Sequence, residues 1–221
     1  MKKRLILIGF LVISLLLIDQ IVKIWVKTSF SSEEVKYIFG NWFALHYIEN
    51  QGMAFGTTFG SAIWHKLALS IFRIIAIGFI IYYIYREAKK VEVRLEYLMA
   101  IGLILAGATG NLIDSMFYDF FFSFNPCEGF NQLQGSGKFM TCKDYGFSYQ
   151  VEVRHKGFLL ANVVDMFQFE AYWPKWVPIV GGGQVFPAIW NVADTCISVG
   201  IGWIILRQRT FFPKKKITVE T

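Results

Sequence analysis

The 221-residue chain is 55% hydrophobic and 18% aromatic, with 17% of its residues charged, which excludes an ordinary soluble domain and places the chain in the membrane class. A net charge of +6 would suit nucleic acid, but the basic residues fall in short runs beside apolar stretches and not along an aromatic-interleaved face, so no nucleic-acid partner is expected. Three cysteines and three histidines give neither a disulfide-rich scaffold nor metal-ligand spacing, and no metal or cofactor is expected.

A helix rises 1.5 Å per residue, so about 20 mostly apolar residues cross a hydrocarbon layer of about 30 Å. Four stretches meet that length, at about 5–26, 67–85, 95–114 and 185–206. Lys2, Lys3 and Arg4 before the first resemble the start of a cleavable secretory signal. No small-residue cleavage site follows, however, and the apolar pattern runs on through Asp19, Gln20 and Lys23 to Trp25 and Val26, which favours a retained helix. After it come two β-prone runs around Gly40-Asn41, so the region 35–60 is expected to form a small sheet, its aromatic side chains set against the lipid headgroups. The connection between the third and fourth stretches is long and broken by Gly and Pro. It is expected to contain an insertion at about 116–162 with a strand at 147–153.

Lys and Arg are biased between these connections. Residues 1–4, 86–94 and 207–221 hold twelve of them in 28 positions, whereas 27–66 and 115–184 hold eight in 110. Positive charge stays on the cytoplasmic side, so both termini are expected there. The fold expected is therefore a single membrane domain over 1–221, mainly α, with four transmembrane helices and a small extracytoplasmic β-sheet lying on the membrane.

An ionisable group at membrane depth is expensive, and each one is a functional candidate. Asp19 and Lys23 are four residues apart on one helical face, which reads as a structural ion pair near the outer interface with Lys23 snorkelling, the other reading being direct contact with the reacting groups. Asn111 and Asp114 fall near the outer end of the third stretch. Asp194 opens the apolar run after Asn191, where a helix N-terminus alone could favour it. Asp165 has apolar neighbours on both sides in Val163-Val164-Asp165-Met166-Phe167 and no local reason to be charged. Two carboxylates brought within about 3 Å tend to hold a single proton between them. One can then activate water while the other protonates the scissile carbonyl and the leaving nitrogen. His46, His65 and His155 read as interfacial or surface residues, and no Ser-His-Asp or Cys-His arrangement is present.

Taken in order, Asp19-Gln20-x-x-Lys23, Asn50-Gln51-Gly52-Met53-Ala54-Phe55-Gly56, Gly110-Asn111-Leu112-Ile113-Asp114, Val163-Val164-Asp165-Met166-Phe167 and Phe186-Pro187-Ala188 with Asn191-Val192-Ala193-Asp194 resemble the lipoprotein signal peptidases (signal peptidase II) of bacteria. The resemblance covers nearly the whole chain. It implies an aspartic endopeptidase of the bacterial cytoplasmic (inner) membrane with Asp165 and Asp194 as catalytic pair near the outer face. It also implies Asn50, Asn111 and Asn191 as polar supports, with Asp19, Lys23 and Asp114 beside them, and Gly52 and Gly56 allowing close backbone approach. A plainer reading makes Asn50-Gln51-Gly52 an ordinary turn. The implied substrate is a diacylglyceryl-modified prolipoprotein cut before its lipidated cysteine. Membrane lipid and cyclic peptide antibiotics of the globomycin type are further implied partners. Two departures stand out. Ser115 follows Asp114 where the family has arginine, leaving Arg154 or Lys156 as candidate replacements, and the insertion replaces a short link. Cys127 and Cys142 lie within it on the expected oxidising side, so a disulfide is expected between them. The competing reading is a small multi-pass transporter or assembly factor using the two aspartates as a proton or cation site. Midplane acids and repeated halves would favour it; here the acids fall near the outer ends of their spans and no repeat is visible.

Overall fold

A computed structural model describes residues 1–51 and 60–213; Gly52 and Gly56 lie outside the described residues. Helices α1 (Lys2–Ser29), α2 (Ile63–Ala88) and α3 (Leu95–Phe121) are each long and apolar enough to cross a membrane. At 1.5 Å per residue each is about 40 Å long, and each overruns its expected window. An apolar window marks the part that needs lipid, whereas the hydrogen-bonded helix continues through Lys27 and Thr28, through Arg86 and Glu87, and from Ser115 to Phe121.

The last apolar stretch is organised differently from the expectation. Its helix, α4 (Val192–Leu206), has 15 residues and starts seven positions later than 185. Three described helices, and not four, reach spanning length by themselves. Pro187 interrupts the stretch, and Ile189–Trp190 is a short strand hydrogen-bonded into a sheet, so those residues cannot also be helical. A four-residue helix, α5 (Gln208–Phe211), follows a break at Arg207.

Strands β1 (Val35–Phe39) and β2 (Phe43–Asn50) form the hairpin expected around Gly40-Asn41. A separate hairpin, β3 (Phe139–Asp144) with β4 (Phe147–Glu152), carries the strand expected at 147–153. Tyr145 and Gly146 turn it at φ of +46° and +82°, the left-handed pair that a type I′ turn requires. Two strands complete the first sheet: β5 (Val163–Phe169) and the short β6 (Ile189–Trp190). Its order is β1-β2-β5-β6, antiparallel throughout. The insertion is fastened twice. A disulfide joins Cys127 to Cys142, with Cα atoms 5.1 Å apart, and Arg154 grips Asp119 of α3 through hydrogen bonds of 2.7 and 3.0 Å.

Small residues let α3 and α4 touch. A Cβ on Gly107 would fall 2.2 Å from the Ala193 carbonyl, and one on Gly200 would fall 2.7 Å from the Ala100 carbonyl, so packing of this pair depends on the bare backbone. At the end of the bundle away from the sheet, Arg4 donates to Lys90 O at 2.8 Å and Arg207 pairs with Glu96 at 3.2 Å. The chain start, the α2–α3 connection and the end of α4 therefore share one end.

Candidate active site

Side chains alternate along β5. Val164 and Met166 point into a buried cluster with Val26, Tyr47 and Tyr118. Asp165, one position out of phase, points to the opposite face with Val163 and Phe169, into a cavity of about 870 Å³. The neighbouring strand presents Ile48, which pairs with Asp165, and Asn50 to the same space. Arg73 of α2, Asn111 of α3 and Asp194 of α4 enter it from the helices, while Phe186, Pro187 and Trp190 give it an apolar wall.

Asn191 connects the two acids. As N-cap of α4, its side-chain oxygen accepts from the Asp194 amide at 2.9 Å, satisfying a donor that helix geometry leaves free. Its Nδ2 donates to Asp165 Oδ1 at 2.6 Å and lies 3.2 Å from Asn111 Oδ1. Asn111 Nδ2 donates to Asp194 Oδ1 at 2.8 Å, and Asn50 Nδ2 donates to Asp165 Oδ2. Asp165 is buried and Asp194 half-buried. Burial, and next the Asp194 carboxylate, push the Asp165 carboxyl well above the ordinary carboxylate range, against the opposing pull of Lys23 and the Asn191 hydrogen bond.

Beneath this pair lies a buried ion cluster. Lys23 does not snorkel to the interface: it is fully buried, 3.0 Å from Asp19 Oδ2 and 2.8 Å from Asp114 Oδ2, and donates to Asn111 Oδ1 at 2.8 Å. Three acceptors arranged around the ammonium give it in place what water would give outside. Each carboxylate of the cluster also holds a backbone amide, one next to Asp194 and one next to Asp165. Asp19 Oδ1 accepts from Ala193 N at 2.9 Å, and Asp114 Oδ2 from Val164 N at 3.3 Å. Asp114 is not at the end of its helix, since α3 runs on to Phe121. Gly110 is required here, because a Cβ would fall 2.6 Å from Asp19 Oδ2.

Neither Arg154 nor Lys156 replaces the arginine missing at Ser115. Arg154 is spent on Asp119, Lys156 is exposed, and neither lines the cavity. Two cations of α2, neither of them among the expected site residues, stand closer. Arg73 lines the cavity, and buried Lys66 donates to Ser115 Oγ at 3.2 Å and to Gln51 O at 2.7 Å. The signal was present, because Arg73 is an ionisable residue inside a spanning stretch and qualified on the same ground as the acids.

The family profile described as signal peptidase (SPase) II matches residues 11–210. This chain belongs to the signal peptidase II family. As a signal peptidase II it is a peptidase and, with its apolar helices, a multi-pass membrane protein. It is similar to the lipoprotein signal peptidase of Porphyromonas gingivalis, 38% identical over 200 residues that cover 88% of this chain and 79% of that protein. The lipoprotein signal peptidase of Amoebophilus asiaticus is 35% identical over 199 residues, covering 87% of this chain and 73% of its own. A solved structure described as a bacterial membrane enzyme superposes with a TM-score of 0.58 at 18% identity, covering 96% of this chain and 94% of that one; this likeness concerns the fold.

Proposed function

We propose that the chain is the aspartic endopeptidase that removes signal peptides from diacylglyceryl-modified prolipoproteins, cutting before the lipidated cysteine, with Asp165 and Asp194 as its catalytic pair. The observation that carries this reading is that both acids line one cavity and are joined through Asn111 and Asn191. Family membership disfavours the transporter or assembly-factor alternative.

The two carboxyls share one proton, and Asp165 keeps it, since burial and the Asp194 charge both favour its neutral form. Asp194 takes a proton from a water molecule as that oxygen bonds to the scissile carbonyl carbon, and Asp165 gives its proton to the carbonyl oxygen. The tetrahedral intermediate collapses as the proton on Asp194 passes to the leaving nitrogen, and the C–N bond breaks. The products are a free carboxyl group on the signal peptide and a free amine on the lipidated cysteine. The remaining hydroxyl returns a proton to the pair, which is ready for the next water.

In this reading α4 is the fourth crossing, completed through α5, and both termini face the cytoplasm. The active site then sits toward the outer face, and the β1–β2 hairpin, with Tyr37, Ile38, Phe39 and Trp42 exposed, lies on the outer headgroup layer of the inner membrane. The apolar wall of the cavity suits acyl chains, and a cyclic peptide of the globomycin type occupies the same space as the substrate.

Purified wild type, Asp165→Asn and Asp194→Asn, assayed on a diacylated prolipoprotein in detergent, test the reading. Both variants are expected to be folded and inactive, and wild type is expected not to cut the unacylated precursor. Normal cleavage by either variant would sink the pair, and equal cleavage of both precursors would sink the substrate.

A further inference from the structure

We propose that Lys66 is a positioning residue that locks the end of β2 against α3 and thereby sets how the two aspartates meet; this rests on the pair assigned above. Lys66 is 7% exposed, and among the described residues no carboxylate lies within ion-pair distance of it. A buried amino group without a carboxylate partner is a poor choice for packing alone, where an apolar side chain of the same length would cost less.

Its two hydrogen bonds among the described residues lead to opposite sides of the site. The first, to Gln51 O at 2.7 Å, fixes the backbone next to Asn50, whose side chain holds Asp165. The second, to Ser115 Oγ at 3.2 Å, fixes α3. There Ser115 Oγ donates in turn to Asn111 O at 3.2 Å, and Asn111 holds Asp194 at 2.8 Å. Ser115 O also accepts from Ala161 N at 3.2 Å, just ahead of β5. Lys66 is thus a hinge pin between the Asp165 support and the Asp194 support. It has no place in the lining of the cavity, so it acts through Gln51 and Ser115 and does not touch substrate.

A positioning role predicts a split in the kinetics. Lys66→Met keeps length and loses both hydrogen bonds. It is expected to lower kcat by at least about tenfold, as misplacement of reacting groups does, while KM for the diacylated precursor stays within about twofold. Lys66→Arg, which can still donate to both acceptors, is expected to recover most of kcat. Ser115→Ala removes one tether and is expected to lower kcat less than Lys66→Met, again at constant KM. Melting curves in the same detergent separate this from general destabilisation.

With Asp165→Asn inactive as control, an unchanged kcat in Lys66→Met overturns the inference and leaves the catalytic pair standing. A raised KM at unchanged kcat also overturns it, because Lys66 would then be a binding residue. If Lys66→Met does not fold, Ser115→Ala decides, and normal kcat there overturns the inference. Activity in Asp165→Asn would instead remove the reading beneath it.

Discussion

Lys23→Met is the perturbation whose consequence follows most directly from the buried ion cluster. Lys23 is fully buried between two carboxylates at 3.0 and 2.8 Å, and removing it strands both charges. Breaking a buried pair from one side costs about 3–5 kcal/mol, most of it the desolvation of the charge left behind. Here two acids are stranded, so the upper part of that range applies. For a chain of this size each kcal/mol moves the melting temperature by roughly 2–4 °C, giving a fall of about 10 °C or more. Activity should suffer further, because Asp19 and Asp114 hold the backbone amides of Ala193 and Val164, the neighbours of Asp194 and Asp165. The assay is thermal unfolding of purified protein in detergent, with cleavage of a diacylated precursor measured well below the melting point. Adding Asp19→Asn to Lys23→Met removes one stranded charge while an amide oxygen can still cap Ala193, so it should recover part of the lost stability. A Lys23→Met protein that melts with wild type, or a double variant weaker than the single one, would refute the reasoning.

Two further predictions concern pH and the insertion. Asp165 has its folded value raised above that of the unfolded chain, so the folded state binds more protons than the unfolded one above about pH 4. Its stabilising contribution is full below that pH and is lost as pH rises through the folded value. Asp165→Asn cannot ionise, so its stability relative to wild type should move in its favour as pH rises, whatever constant offset arises where the new amide meets Asn50 and Asn191. Melting curves across the pH range would contradict this if the difference moved the other way. Replacing both Cys127 and Cys142 by Ser opens a link of sequence separation 15, worth up to about 3 kcal/mol in chain entropy. Proteolysis should then accelerate within 122–160 while cleavage of precursor by the folded enzyme is retained.

Much of this architecture was legible because lipid imposes a length. The first three helices stood out as apolar stretches, and the β1–β2 hairpin as two β-prone runs around Gly40-Asn41. The start of α4 is not legible because 185–191 is as apolar as a helix, while its real state is decided by pairing of Ile189 and Trp190 with Gln168 and Phe167, a contact no local pattern displays. β5 shows in the sequence only as apolar residues flanking an acid, although its alternation is what turns Asp165 toward the cavity and Val164 toward the core. Lys23 was expected to reach water because the sequence shows one partner, Asp19, and the fold supplies a second, Asp114, from 91 residues away in α3. Lys66 and Arg73 are not among the expected site residues, although the cost of burial applies equally to cations and acids.

The pH dependence of kcat/KM for a diacylated precursor tests the central claim most directly. A pair sharing one proton over an attacking water gives a bell, with rate lost on the acid side when both carboxyls are protonated and on the alkaline side when both are ionised, the two limbs belonging to the pair as a whole. A rate that rises through one ionisation and then stays level to high pH, with the protein still folded, would contradict the account.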